Sequence, residues 1–139
     1  KLFPGVESTL KKLHEMNIKL GIVTSKVRKT AQRGLQLFNL DHLFDIFVGY
    51  EDTAIHKPKP EPVLFALEKM GVKAANTLMV GDSPHDIASA KAAGTKTAAV
   101  TWSSFPLEAL KAEKPTYIID QISQLTELVR DSNQYKLKG

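Results

Sequence analysis

The segment Gly81-Asp82-Ser83-Pro84-His85-Asp86 places two carboxylates four residues apart, the first directly beyond a short apolar run and the second in the first turn of the helix that Pro84 opens. Carboxylates so spaced can face one crevice. They repel one another unless a cation joins them, and a site of oxygen ligands alone suits Mg2+, which keeps several of its waters. A plainer role competes: Ser83 as helix cap, Pro84 in the first helical position and Asp86 three residues after the cap form a capping box. That accounts for Ser83 and part of Asp86 but leaves Asp82 unexplained.

Two further segments carry candidate chemistry. Thr24 ends the run Lys19-Leu20-Gly21-Ile22-Val23. Its hydroxyl, with the backbone N–H groups of Ser25 and Lys26 entering a helix, could hold a phosphoryl oxygen; equally, Thr24 or Ser25 could only cap that helix. The stretch His56-Lys57-Pro58-Lys59-Pro60-Glu61-Pro62 has three prolines in five residues, each fixing φ and disfavouring helix in the residue before it. Lys57 is then either a fixed positive charge or one of two solvated lysines on a rigid loop. His56 and His85 read as surface neighbours, because one His beside one Asp does not define a metal site.

These residues need elements to hold them at one place. Val6, Leu10 and Leu13 at helical spacing mark an amphipathic helix, followed by the strand of Lys19 to Val23. Ala31, Gly34, Leu35 and Phe38 mark a second helix and Ile46 to Gly49 a second strand. A helix from about Pro62 to a Gly71 cap, a strand over Thr77 to Val80, a helix from Ser83-Pro84 to a Gly94 stop and a strand over Thr97 to Val100 continue the alternation. A short helix near Leu107 to Leu110, a strand over Tyr117 to Ile119 and a helix bearing Leu125, Leu128 and Val129 complete it. Strands alternating with helices and buried on both faces predict an α/β fold, a doubly wound parallel sheet. In such sheets ligands bind beyond the carboxyl ends of the strands, where Thr24, Lys57 and Asp82 fall.

The chain has 139 residues, 42% hydrophobic, enough for a single core and against disorder as the main state. It has no Cys, hence no disulfide framework, thiol nucleophile or need for an oxidising compartment, and a cytoplasmic location is expected. No run approaches the roughly 18 apolar residues of a membrane span, and Lys1 to Gly5 lack the pattern of a signal peptide. The net charge of +4 comes from basic residues scattered from Lys11 and Lys12 to Lys136 and Lys138, with no aromatic-interleaved strip, so neither nucleic acid nor membrane is an expected partner. A small anion near Lys26 to Lys29 suits the charge better.

The order of the motifs is more specific than any one of them. A strand ending in Thr24, Lys57-Pro58 after the next strand, and Val80-Gly81-Asp82 with Asp86 after the third resemble the haloacid dehalogenase superfamily of phosphatases. Val80 to Thr97 looks closest to its phosphoglycolate phosphatase and bacterial inorganic pyrophosphatase branch, and Pro4-Gly5-Val6 looks like the point where that family's chain re-enters the core from its helical cap. The resemblance implies a Mg2+-dependent phosphohydrolase acting on a small phosphate monoester or pyrophosphate. By it, Thr24 and Ser25 bind the phosphoryl group, Lys57 offsets charge on nucleophile and phosphate, and Asp82 and Asp86 hold Mg2+. In that family an Asp attacks phosphorus to form an aspartyl phosphate, and a second Asp two residues on acts as acid and base.

That nucleophile is missing. The Asp residues stand at 41, 45, 52, 82, 86, 120 and 131, with no Asp-x-Asp pair, and Asp41 and Asp45 lie after a helix and before a strand. In the family the first motif ends a central strand lying between those that bear the Thr and the Gly-Asp motifs. Residues 1–139 are therefore expected to form one incomplete core domain, without nucleophile strand or cap, and inactive alone. The alternatives are a non-catalytic phospho-ligand-binding or protein-interaction domain on the same fold, or a receiver-like signalling domain. Receivers place their acidic cluster before the Thr and Lys, and the order Thr24, Lys57, Asp82 argues against that.

Overall fold

A computed structural model describes residues 5–131, and Pro4, Lys136 and Lys138 of the readings above lie outside the described residues. The elements run α1 (Val6–Glu15), β1 (Gly21–Val23), α2 (Arg28–Leu37), β2 (Ile46–Val48), α3 (Glu61–Met70), β3 (Leu78–Gly81), α4 (Pro84–Ala93), β4 (Lys96–Val100), α5 (Leu107–Ala112), β5 (Tyr117–Ile119) and α6 (Gln124–Asp131). Every strand pair is parallel. Among the described residues no helix is long and apolar enough to cross a membrane.

The punctuation is local chemistry. Gly71 and Gly94 end α3 and α4 in left-handed conformations, φ 68° and 91°, where a side chain would be strained. Ser83 caps α4 by accepting the Asp86 N–H, and Pro84 takes the first helical position, where no N–H is needed. β1 starts at Gly21 and not Lys19; the backbone of Asp45 donates to the Leu20 carbonyl at 2.7 Å while its carboxylate accepts the Leu20 N–H at 2.9 Å. Asp45 thus clamps the entry of β1 against β2.

The expected layers form around β3, β4 and β5. Leu13, Val100, Ile119, Leu125 and Val129 bury one face beneath α1 and α6, and Ile87, Ala99 and Leu110 bury the other beneath α4 and α5. Burial on both faces is near complete only in β4: β1 is exposed to half-buried, β3 is half-buried over Leu78 to Val80, and in β5 Ile118 is 40% exposed, as suits an edge strand.

The sheet is divided. β1 pairs only with β2, while β3, β4 and β5 form a separate sheet in that spatial order. Leu20 accepts from Asp45 and Thr24 donates to Val48, so by alternation the backbones of Gly21 and Val23 point away from β2. Thr77 accepts from Lys96, so Leu78 and Val80 likewise point away from β4. Between these two edges lies an apolar cavity of about 430 Å³, lined by Leu10, Ile22, Val23, Leu78 and Val80 among others. The cavity lies where the family resemblance expects a central strand, and among the described residues no strand fills it.

Candidate active site

Lys57, Asp82 and Asp86 converge beside the carboxyl ends of β1 and β3, although Lys57 and Asp86 are 29 residues apart. The Lys57 ammonium donates to Asp86 Oδ1 at 2.6 Å and to the Val23 carbonyl at 3.0 Å. Its side chain is 8% exposed and that of Asp86 15%, so the pair is largely withdrawn from water. Lys57 therefore bridges an edge carbonyl of β1 and the first turn of α4. The loop that carries it is fixed on both sides: the His56 ring stacks on Tyr50 with centroids 4.1 Å apart and hydrogen-bonds the Tyr50 carbonyl, and Ser89 of α4 donates to the Lys59 carbonyl at 2.6 Å.

Asp86 works harder than a capping residue. Its N–H goes to Ser83, as a capping box requires, but its second carboxylate oxygen accepts the N–H of Asp82 at 3.1 Å and not that of Ser83. Burial alone would raise the Asp86 carboxyl; the Lys57 charge and its hydrogen bonds outweigh it and hold Asp86 below the usual carboxylate range. Asp82 moves the opposite way, raised by burial and by the adjoining Asp86 carboxylate. Proximity of α4 to β3 depends on Gly81, where a Cβ would stand 2.6 Å from the Asp86 Cβ.

Thr24 follows directly on Val23, whose carbonyl Lys57 holds. Its hydroxyl accepts the Lys26 N–H at 3.1 Å, which leaves its own proton to donate. Ser25 and Lys26 form an exposed bend rather than a helix entry, because α2 starts only at Arg28. The cap of α2 comes from a distant loop. Arg28 N–H donates to Glu51 Oε1 at 3.0 Å, holding that carboxylate below its usual range, and the Arg28 guanidinium pairs with Asp52, which also accepts the Gly49 N–H. The tripeptide Gly49-Tyr50-Glu51 carries no local sign of this role. His85 is exposed, and no group of three or more His, Cys, Asp or Glu able to hold a metal occurs among the described residues.

The parallel α/β fold gathers Lys57, Asp82 and Asp86 at the carboxyl ends of β1 and β3, where α/β proteins carry their ligand sites. A family model described as "Haloacid dehalogenase-like hydrolase" matches residues 1–100, and the chain belongs to that family. Among similar proteins, a PpaX homologue of Caldanaerobacter subterraneus subsp. tengcongensis is 48% identical over 134 residues, covering 96% of this chain and 61% of its own length. The pyrophosphatase PpaX of Oceanobacillus iheyensis is 44% identical over 130 residues, covering 94% of this chain and 61% of its own. The crystal structure of a predicted phosphoglycolate phosphatase from Haemophilus somnus 129PT superposes with a TM-score of 0.86 at 31% identity, over 93% of this chain and 57% of that one. The chain thus spans about three-fifths of the length of the curated relatives it matches.

Proposed function

We propose that this chain supplies the phosphate- and cation-binding part of a Mg2+-dependent phosphohydrolase whose attacking carboxylate arrives on a strand seated between β1 and β3. The observation that carries the proposal is the apolar cavity of about 430 Å³, flanked by edges of β1 and β3 that have no strand partner among the described residues and lined by Val23, whose carbonyl accepts from Lys57. A strand in that position would pair with Gly21 and Val23 on one side and Leu78 and Val80 on the other, satisfying groups that cost about 1–3 kcal/mol each when buried unpaired.

The residues present suit Mg2+. Lys57 neutralises one of the two clustered carboxylates, and a cation would offset the burial and the Asp86 charge that raise the Asp82 carboxyl. Asp82 and Asp86 would hold the ion, with water and phosphate oxygens completing an all-oxygen shell. When bound, it supplies charge stabilisation for the transferring phosphoryl oxygens. Thr24 and Ser25 bind the phosphoryl group, the Thr24 hydroxyl donating to a phosphoryl oxygen. Lys57 draws the attacking carboxylate and the phosphate together, and Asp86 fixes the ammonium in place. The substrate is a small phosphate monoester or pyrophosphate, and a cytoplasmic location belongs to the same reading.

Mg2+-dependent phosphate release from an aryl phosphate and from pyrophosphate tests the proposal. The full-length gene product should be active, the 139-residue chain inactive, and Asp82→Asn in the full-length product inactive. A full-length product that binds phosphate without turnover would establish instead a phospho-ligand-binding domain on this fold.

A further inference from the structure

Asp82 is the first residue beyond the β3 ladder, which ends at the pair Gly81 and Ala99. No strand partner holds its peptide. Its N–H donates to Asp86 Oδ2 at 3.1 Å, a carboxylate that Lys57 also engages and that a bound cation would compete for. The Asp82 carbonyl is held differently, by Ser103 in the loop between β4 and α5, 21 residues away.

The hydroxyl of Ser103 has one assignment that satisfies its partners. It accepts the Phe105 N–H at 2.9 Å, closing a turn two residues long, and donates its proton to the Asp82 carbonyl. The loop is anchored in turn, because Trp102 packs against the buried cluster of Val100 and Ile119 and the Thr101 N–H donates to the Ile119 carbonyl at 3.0 Å. The peptides on either side of the Asp82 Cα are therefore each held by one hydrogen bond, and only the Ser103 restraint is independent of the charged cluster.

We infer that Ser103 is a positioning residue that fixes the backbone of Asp82 and so aims its carboxylate at the bound cation. The inference rests on the reading of Asp82 as a cation ligand. Loss of the hydroxyl frees the peptide that follows Asp82 to rotate and loosens the turn between β3 and α4 on which the Asp82 side chain stands.

The test is Mn2+ binding to the full-length gene product without substrate, followed by electron paramagnetic resonance, with thermal unfolding of the metal-free protein alongside. Partners that orient metal ligands typically contribute 10–100-fold in affinity, and a backbone restraint belongs near the lower bound. Ser103→Ala should therefore weaken Mn2+ binding about 10-fold, Ser103→Thr should restore it to within about 2-fold of wild type, and the metal-free melting temperatures of the two variants should be alike. Unchanged Mn2+ affinity in Ser103→Ala overturns the inference while leaving the cation site intact. Failure of Ser103→Thr to rescue, with Thr equally stable, overturns it as well. A wild-type protein that binds no Mn2+ overturns both the cation site and the role of Ser103.

Discussion

Replacing Lys57 by Met tests how the site is held. The substitution keeps most of the side-chain volume and removes the ammonium that Asp86 accepts at 2.6 Å and the Val23 carbonyl at 3.0 Å. Breaking a buried ion pair by deleting one partner costs about 3–5 kcal/mol, because the other charge stays behind uncompensated. Asp86 would keep the Asp82 N–H and is 15% exposed, which places the cost near the lower bound, about 3 kcal/mol. At roughly 4 °C per kcal/mol for a domain of this size, the melting temperature falls by about 10 °C. The deficit has a defined pH dependence. Because the folded Asp86 titrates below its ordinary range, its contribution is fully present above the unfolded value of about 3.9 and is lost as pH falls through the folded one. Urea denaturation of the full-length product at pH 7 and pH 3, with Lys57→Met, Asp86→Asn and the double variant, measures this directly. The two substitutions should couple by at least about 2 kcal/mol at pH 7, and the Lys57→Met deficit should shrink at pH 3. A deficit under about 1 kcal/mol at pH 7, or one unchanged at pH 3, would refute the argument that Lys57 holds a buried carboxylate.

Other perturbations act on the same cluster. Asp82 has a raised carboxyl, so the folded state carries a cost that sets in as pH rises from the ordinary carboxylate value through the raised one. Asp82→Asn should therefore stabilise the metal-free protein slightly at pH 7, by less than about 1 kcal/mol given solvent screening, and, with Asp82 as a proposed cation ligand, should abolish the rise in melting temperature expected of the wild type with Mg2+. Thermal scans with and without Mg2+ check both effects. In Gly81→Ala the added Cβ meets the Asp86 Cβ at 2.6 Å, so α4 must shift; about 1–3 kcal/mol of stability and most Mn2+ affinity should go together, as unfolding and metal titration would show.

Much of the architecture is written in short-range signals. Gly71 and Gly94 stop helices where they stand, Ser83-Pro84 starts α4, and the apolar runs become the five strands in the expected order. The succession Thr24, Lys57, Asp82 and Asp86 likewise points to one crevice, in which Lys57, Asp82 and Asp86 meet. What local patterns miss is made by distant partners. Asp86 looks like half of a capping box, but Lys57, 29 residues away, and the Asp82 N–H take its carboxylate. A hydroxyl at Thr24 or Ser25 offers α2 a local cap in the sequence; Glu51 instead caps the N–H of Arg28 from 23 residues away. Ser103 sits in an ordinary polar loop, and only the fold brings it to Asp82.

The divided sheet has a consequence for how the molecule opens. Both large buried clusters include or cover strands of the β3–β4–β5 sheet, whereas β1 and β2 form a two-stranded ribbon that depends on α3 and on Lys57 for attachment. A two-stranded ribbon is marginal by itself, and units of this kind unfold as a group below the global free energy. Native-state hydrogen exchange should then separate two cooperative units, with the amides of Ile22 and Phe47 released together at a lower free energy than those of Ala98 and Ala99. The Lys57–Asp86 pair joins the two, since Lys57 follows β2 and Asp86 follows β3. The Lys57 ammonium is thus the tether by which the weaker unit borrows rigidity from the stronger.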